Sequence, residues 1–327
     1  MKMKRKTLAL LLIAMLLCVT LLVGCTQKAY PSRSIDVVCA GGAGSGGDVL
    51  LRVICKYLQE ELAVPVNVIN TTGGSGIPAV QSVLDAQADG YTLMGDQAMS
   101  SSFQMALAEL PYDVFEDRTY ICRIASGPQV LCGSPDMGWE DIRDVSEWIK
   151  ANPDKEFIWG GISKSSAANF AVLEFMMESS IDPANTTELR YSGGGDILAA
   201  IAGGHIMLGS CAASGVPSFA QDGQVKPLVV CGSSRLDILP DVPCAAELGF
   251  ETLNADFWIG FSGSADLPED VQNTIREACQ KMIQDEQFLA DIAQIGAVLN
   301  YAEGEDMLED LKNEVELSQK LIALGND

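Results

Sequence analysis

Short apolar runs alternate with longer amphipathic stretches over most of this chain. In the first third, the runs at 35–39, 64–69 and 91–95 predict strands, and the stretches at 48–62 and 77–86 predict helices. Strands that alternate with helices of this length are typical of α/β units with largely parallel sheets. The pattern therefore predicts an α/β fold in which mixed, mostly parallel sheets are flanked by helices.

The same alternation continues after strand-like segments between Tyr120 and Gly133. The further predicted strands lie at 157–159, 188–191, 206–209, 225–230 and 257–261, and the further predicted helices at 141–151, 167–178, 196–202, 268–284 and 303–324. The mature chain of about 300 residues exceeds the size at which a single hydrophobic core stops growing, so we expect two lobes. We predict a first domain of residues 35–133 plus 255–327, a second of 134–254, and a ligand cleft between them.

The N-terminus is interpreted as a targeting segment rather than as part of the fold. Four cations, Lys2, Lys4, Arg5 and Lys6, precede an apolar run at 8–23 that is short for a membrane span. The run ends in LVGC, which resembles the lipobox of bacterial lipoproteins. This predicts a signal peptide at 1–24, lipidation of Cys25 and a tether at 25–34, and hence an extracytoplasmic protein anchored to the cell membrane by lipid. An ordinary signal peptide or an uncleaved anchor is the alternative.

The charge of the chain restricts its partners. The formal net charge is −23, and it falls to −27 once the four cations of the targeting segment are removed. A protein this acidic is not expected to bind nucleic acid, and its body is not expected to bind an anionic membrane surface.

The cysteines and the single histidine argue against catalysis. None of the ten cysteines forms a Cys-x-x-Cys pair, and no Cys/His cluster has zinc spacing. Cys39, Cys122, Cys132 and Cys231 lie in apolar runs, which favours free buried thiols over disulfides, although disulfides stay open. With one histidine and no G-x-S-x-G motif, we expect no enzyme, no metal and no cofactor. Chance pairs of carboxylates leave an extracytoplasmic hydrolase as a remote alternative.

Three glycine- and serine-rich loops follow predicted strands and open predicted helices, at 41–48, 160–166 and 192–196. Such turns let the backbone approach a ligand closely, and the free N–H groups of a helix start attract anions. Gly42, Gly44 and Gly47 also match G-x-G-x-x-G, but the acidic residue of a dinucleotide site is missing after the second strand, where Ile69 and Asn70 stand. Glycines that merely make tight turns are the simpler alternative.

The order and spacing of several short segments resemble the solute-binding receptors of tripartite tricarboxylate transporters, also called Bug-type receptors. The resemblance covers nearly the whole mature chain. The segments are YPS (30–32), residues 35–52 with the first glycine loop, PVNVIN (65–70), GGSG (73–76), DGYTL (89–93), LPYD (110–113), YSGGG (191–195) and LPDVP (239–243).

This resemblance implies a two-domain type II periplasmic-binding ("Venus flytrap") fold and a monomer that delivers a small carboxylate-bearing ligand to one large and one small membrane subunit. Family members hold carboxylates with backbone amides and ordered waters. The positions that this implies as ligand-binding are Gly44, Ser45, Gly46, Gly47, Asp48, Ser192, Gly193, Gly194 and Gly195, with Ser163, Ser165 and Ser166 as further donors. A receptor that signals through a membrane partner would use the same site and is the alternative function.

Three departures from the family pattern leave the ligand open. They are Cys-Ala-Gly at 39–41, Gly-Asp-Gln-Ala at 95–98 and Ser-Cys-Ala-Ala at 210–213. Asp96 is therefore included as a candidate ligand contact. Together with Asp48, it suggests the hypothesis of a ligand that carries an amine, amide or ring N–H beside its acid.

Overall fold

The structure is a computed structural model that describes residues 29–105, 110–164 and 166–325. The predicted signal peptide, Cys25 and Ser165 lie outside the described residues. The strands of the described part are β1 Ile35–Cys39, β2 Val66–Asn70, β3 Thr92–Asp96, β4 Arg118–Gly133, β5 Ile158–Gly161, β6 Thr187–Arg190, β7 Leu208–Ala212, β8 Lys226–Val230, β9 Asp256–Ser264 and β10 Val298–Glu303. Its helices are α1 Gly46–Leu62, α2 Ile77–Leu84, α3 Ser102–Met105, α4 Ile142–Ala151, α5 Ala167–Glu178, α6 Gly194–Ala202, α7 Val216–Gln221, α8 Glu269–Met282, α9 Glu286–Gln294 and α10 Gly304–Leu324.

The first strands form parallel pairs, with β1 between β2 and β3. Helix α1 follows β1, and the Ser45 hydroxyl caps it by accepting a hydrogen bond from the Asp48 N–H at 3.3 Å. Its apolar positions Leu51, Ile54 and Leu58 are fully buried and recur at helical spacing. The capped start and this apolar face together fix the direction in which the helix leaves the strand.

A long strand, β4, links two groups of strand pairings. Its first half pairs antiparallel with β9 and β10, and its second half pairs antiparallel with β7 and β8. At the far side β5 lies parallel between β6 and β7. The sheet system is therefore mixed, with parallel pairings at both ends and antiparallel pairings in the middle, and the chain from Arg33 onward forms one compact unit.

Helix α5 lies in the largest apolar core. Its residues from Ala168 to Met176 are all buried, so the helix is enclosed on every side rather than amphipathic. The aromatic rings of Phe103 and Phe170 meet edge to face, with centroids 4.6 Å apart. This packing fixes the position of the helix start, which matters because the loop at 160–166 precedes it.

Most predicted elements are confirmed within a few residues, including β1, α1, α5 and α10. Strand β10 and the helices α3, α7 and α9 were not predicted. The eight cysteines of the described part, from Cys39 to Cys279, are all buried and free, as the apolar runs favoured. Among the described residues, no helix is both long and apolar enough to span a membrane.

Candidate functional site

The three predicted loops lie where three strands end and three helices begin. The first joins β1 to α1, the second joins β5 to α5, and the third joins β6 to α6. Each helix begins with N–H groups that have no acceptor inside the helix. All three loops therefore present backbone donors at the same structural position, the carboxyl end of a strand.

These loops line one cavity of about 620 Å³, which we call the glycine-loop cavity. Ten of the predicted residues line it. They are Gly44, Ser45, Gly46, Gly47, Ser163, Ser166, Ser192, Gly193, Gly194 and Gly195. The loops of α1 and α6, which are far apart in sequence, thus face a shared space, as the proposed cleft requires.

The walls of this cavity approach one another so closely that glycine is needed. A Cβ atom on Gly46 would stand 2.9 Å from Cζ of Phe257 and 3.3 Å from Cβ of Ala212. A Cβ atom on Gly127 would stand 2.1 Å from the same ring carbon. The Phe257 ring therefore occupies a slot between two glycines and forms one wall of the cavity.

The described residues that line the cavity carry no charged side chain. Among the described residues that line it, the polar side chains are neutral hydroxyls and amides, including Ser45, Gln97, Gln129, Ser166 and Ser214. A carboxylate ligand would be held here by hydrogen bonds and helix dipoles rather than by an ion pair. No group of three or more His, Cys, Asp or Glu residues suited to a metal occurs in the described ranges.

Asp48 does not line the cavity but shapes the first loop. One of its carboxylate oxygens accepts hydrogen bonds from the Gly44 N–H at 2.8 Å and from Arg52 Nε at 2.9 Å, and the other accepts one from Asn70 at 2.8 Å. Burial alone would raise the pKa of Asp48, but the hydrogen bonds from Arg52, Asn70 and Gly44 outweigh it and lower the pKa. Asp48 is thus an ionised positioning residue whose bonds are made inside the protein.

Asp96 does not line the cavity either. It is fully buried and forms an ion pair with Arg118 at 2.5 Å. The guanidinium also donates to the Ser100 carbonyl at 2.8 Å and to the Ser262 hydroxyl at 2.7 Å. Because both candidate aspartates are engaged with arginines, the structure offers no basis for the hypothesis that they recognise an amine.

Two glutamines that the sequence did not single out line the glycine-loop cavity. Gln97 follows β3 directly and lines the cavity, whereas the neighbouring Asp96 points into the protein. Its Nε2 atom is the one fully enclosed side-chain polar atom without a hydrogen-bond partner in the described ranges. Gln129 accepts a hydrogen bond from the Ser210 hydroxyl at 3.1 Å, which leaves its Nε2 group able to donate.

Known proteins resemble this chain in sequence and in structure. The BugT protein of Bordetella pertussis is 27% identical over 238 residues, which cover 71% of this chain and 71% of BugT. The R. palustris protein Rpa4515, solved with adipate, superposes with a TM-score of 0.77 at 20% identity over 91% of this chain and 98% of its own. MatC of Rhodopseudomonas palustris, solved with bound malate, gives 0.72 at 20% identity over 90% and 100% of the two chains.

The structural similarities confirm the predicted periplasmic-binding-protein fold. The family assignment depends on a separate match, because residues 50–326 fit the model of the "Tripartite tricarboxylate transporter family receptor". Strands β2 to β10 and the second and third loops fall within that range, whereas β1 and the first glycine loop precede it. This chain therefore belongs to the family of tripartite tricarboxylate transporter receptors.

Proposed function

We propose that this receptor captures a small carboxylate-bearing metabolite in the glycine-loop cavity and delivers it to the large and small membrane subunits of a tripartite transporter. The observation that carries the proposal is the convergence of three helix-opening loops on one uncharged cavity of about 620 Å³. Structurally similar proteins that hold adipate and malate support the ligand class. Lipidation of Cys25 would keep the receptor close to those subunits.

In this proposal the cavity closes around the ligand by movement of two lobes, residues 35–133 with 255–327 and residues 134–254. The two groups of strand pairings that meet on β4 support this division. The ligand-binding set consists of the ten cavity-lining residues named above, with Gln97 and Gln129 added and Asp48 in a positioning role. Backbone amides and ordered water would hold the carboxylate.

Titration of the purified protein with malate and adipate, compared with their diamides, tests the proposal. We expect a dicarboxylate to raise the melting temperature by roughly 5 °C at about a hundredfold excess over Kd, since ligand binding adds about 2.7 kcal/mol there. The uncharged diamides should leave the melting temperature unchanged, because they lack the anion that the helix starts attract. Equal stabilisation by the diamides would contradict the proposal. So would a panel of organic acids in which no acid raises the melting temperature.

We expect added salt to strengthen dicarboxylate binding, whereas it weakens anion binding in most anion-binding proteins. The chain is strongly acidic, so its long-range field repels an anionic ligand, while the neutral cavity attracts it only at contact. Raising the ionic strength from about 0.01 M to about 0.15 M shortens the Debye length from about 30 Å to about 8 Å and should strengthen dicarboxylate binding by about two- to threefold. Calorimetric titration at both salt concentrations measures this, and weaker binding at high salt would indicate a cationic side chain at the site.

A further inference from the structure

A second cavity of about 430 Å³ lies beside the glycine-loop cavity, and Ala167 lines both. Four carboxylates line it, contributed by Glu174 of α5, Asp256 of β9, and Asp310 and Glu314 of α10. A single cation, Arg123 of β4, lines it as well. We call this space the acidic chamber.

The one cation of the acidic chamber is already engaged. Arg123 Nη2 lies 2.6 Å from Asp310 Oδ2, and its Nε donates to the Asn300 carbonyl at 3.2 Å. Among the described residues, Glu174, Asp256 and Glu314 form no ion pair. Three carboxylates therefore line the chamber without an ion-pair partner of their own, and a buried carboxylate in that position must be neutralised by a proton or by a cation.

In two of these carboxylates, one oxygen accepts hydrogen bonds from the protein and the other oxygen is available to a ligand. Glu174 Oε2 accepts hydrogen bonds from the Asn254 N–H at 2.9 Å and the Ala255 N–H at 2.8 Å, and Glu314 Oε2 accepts them from the Ser102 hydroxyl at 2.7 Å and Trp258 Nε1 at 3.0 Å. The Oε1 atom of each has no donor in the described part of the chain. Glu174 is only 3% exposed, but its Oε1 atom is not fully enclosed. The small exposed surface of Glu174 therefore faces the chamber.

The protonation behaviour of the three groups agrees with a site that lacks its cation. Burial raises the pKa of Glu174 to about 8, that of Glu314 to about 7 and that of Asp256 to about 6. A cation placed among them would favour the ionised forms and lower all three values.

The remaining walls specify what kind of cation fits. Phe103, Phe170 and Leu317 add apolar side chains to the lining of the chamber. No set of three or more acidic or other metal-binding side chains in the described ranges has metal-binding geometry, which disfavours an inorganic ion. A volume of about 430 Å³ is also far larger than a bare ion needs.

We propose that the acidic chamber is a binding site for an aliphatic ammonium group, separate from the carboxylate site of the glycine-loop cavity. The ammonium donates to the free oxygens of Glu174 and Glu314, and its hydrocarbon stem lies against the phenylalanines. The ammonium can belong to a free amine or to an amino acid whose carboxylate occupies the neighbouring cavity, since the two cavities share a wall residue.

Calorimetric titration of the purified protein with 1,5-diaminopentane at about physiological ionic strength, where surface charges are screened, tests the site. The Glu174→Gln/Glu314→Gln double variant keeps an acceptor oxygen for the same donors but removes both charges, and we expect it to weaken diamine binding at least about tenfold. Glu116→Gln is the matched control, because Glu116 is exposed and lies outside both cavities. Malate or adipate binding should be unchanged in both variants.

The proposal would be overturned if the double variant bound the diamine as tightly as the parent does. It would also be overturned if Na⁺ or Mg²⁺ alone displaced the diamine equally well, or if the parent protein did not bind the diamine at all. A second series, with 5-aminopentanoate, pentanoate and pentylammonium, distinguishes the two sources. Tighter binding of the amino acid than of either fragment indicates one ligand that spans both cavities, and equal binding of pentylammonium and the amino acid indicates a free amine.

The pH dependence of diamine binding distinguishes direct contact with the ammonium group from a purely structural role of the two glutamates. Between about pH 5 and about pH 8 the ionisable groups of the chamber lose protons, so diamine binding should strengthen as the pH rises and should release protons to the buffer. The double variant should lose most of this slope. The charged or titratable groups that line the site are Glu174, Asp256, Arg123, Asp310 and Glu314. Glu178 and Cys231 lie outside the lining but interact electrostatically with Glu174.

Discussion

Asp96→Ala is expected to lower the free energy of unfolding by about 3–5 kcal/mol, because it leaves the buried Arg118 guanidinium without its partner. Both side chains of this pair are at most 1% exposed, so solvent cannot replace the lost carboxylate. Asp96 also accepts hydrogen bonds from the Ser100 hydroxyl and the Gln97 N–H, which hold the chain after β3. Chemical denaturation of the variant and the parent measures the difference.

The control for this experiment is Glu140→Ala. Glu140 pairs with Lys226 at 2.9 Å, but the two side chains are 83% and 39% exposed. An exposed pair of this kind contributes about 0–1 kcal/mol, so the control should be nearly as stable as the parent. A second variant, Asp96→Ala/Arg118→Met, should recover part of the loss by removing the unpaired charge. If Asp96→Ala instead folds with normal stability and loses only ligand binding, Asp96 is a ligand contact and the structural role is wrong.

Asp96 and Gln97 show where the sequence stops being informative. The sequence places both residues at the end of a strand that leads toward the ligand, and an acid is the more conspicuous chemistry. Which of the two faces the cavity depends on the register of β3 against β1 and β9 and on the position of Arg118, 22 residues later in the chain. That pairing is a tertiary contact, so local pattern could not predict it.

The elements around the glycine loops were predictable for a different reason. The strand β1 and helix α1 carry local signals, an apolar run and then glycines, a capping serine and an apolar face. By contrast, β10 has no apolar face that a sequence pattern could show, because most of its residues are only half-buried and the apolar Leu299 is exposed. Its place beside β4 is set by tertiary packing.

The acidic chamber could not have been predicted from the sequence. Its unpaired carboxylates, Glu174, Asp256 and Glu314, come from three elements that are widely separated along the chain. In a protein with 44 acidic residues, none of the three stands out by its neighbours in sequence. Only the packing of α5 and α10 on the central strands brings them to one space.

Gly195→Asp is expected to weaken dicarboxylate binding by at least about a hundredfold while leaving the fold intact, since like charges in contact cost several kcal/mol. Gly195 lines the glycine-loop cavity, and no heavy atom lies within 4 Å of the position that a Cβ atom would take. Gly194 is a less suitable probe, because a Cβ there would stand 2.7 Å from Cβ of Cys211 on β7. Substitution at 195 therefore reaches the cavity without disturbing the sheet.

For the same variant, we expect stability to change in the opposite direction from affinity. Weaker ligand binding in a more stable protein would identify the start of α6 as the anion site. Gly195 is the second residue of α6, where a carboxylate interacts favourably with the helix dipole and replaces a flexible glycine, so the free energy of unfolding should rise by about 0.3–1 kcal/mol. Gly195→Asn has the same shape without the charge, and it separates steric obstruction from repulsion. Titration with malate or adipate and denaturation of all three proteins give both quantities. Undiminished affinity in Gly195→Asp would mean that the anion binds elsewhere, because a carboxylate held at the start of α6 cannot coexist with a ligand carboxylate at the same donors.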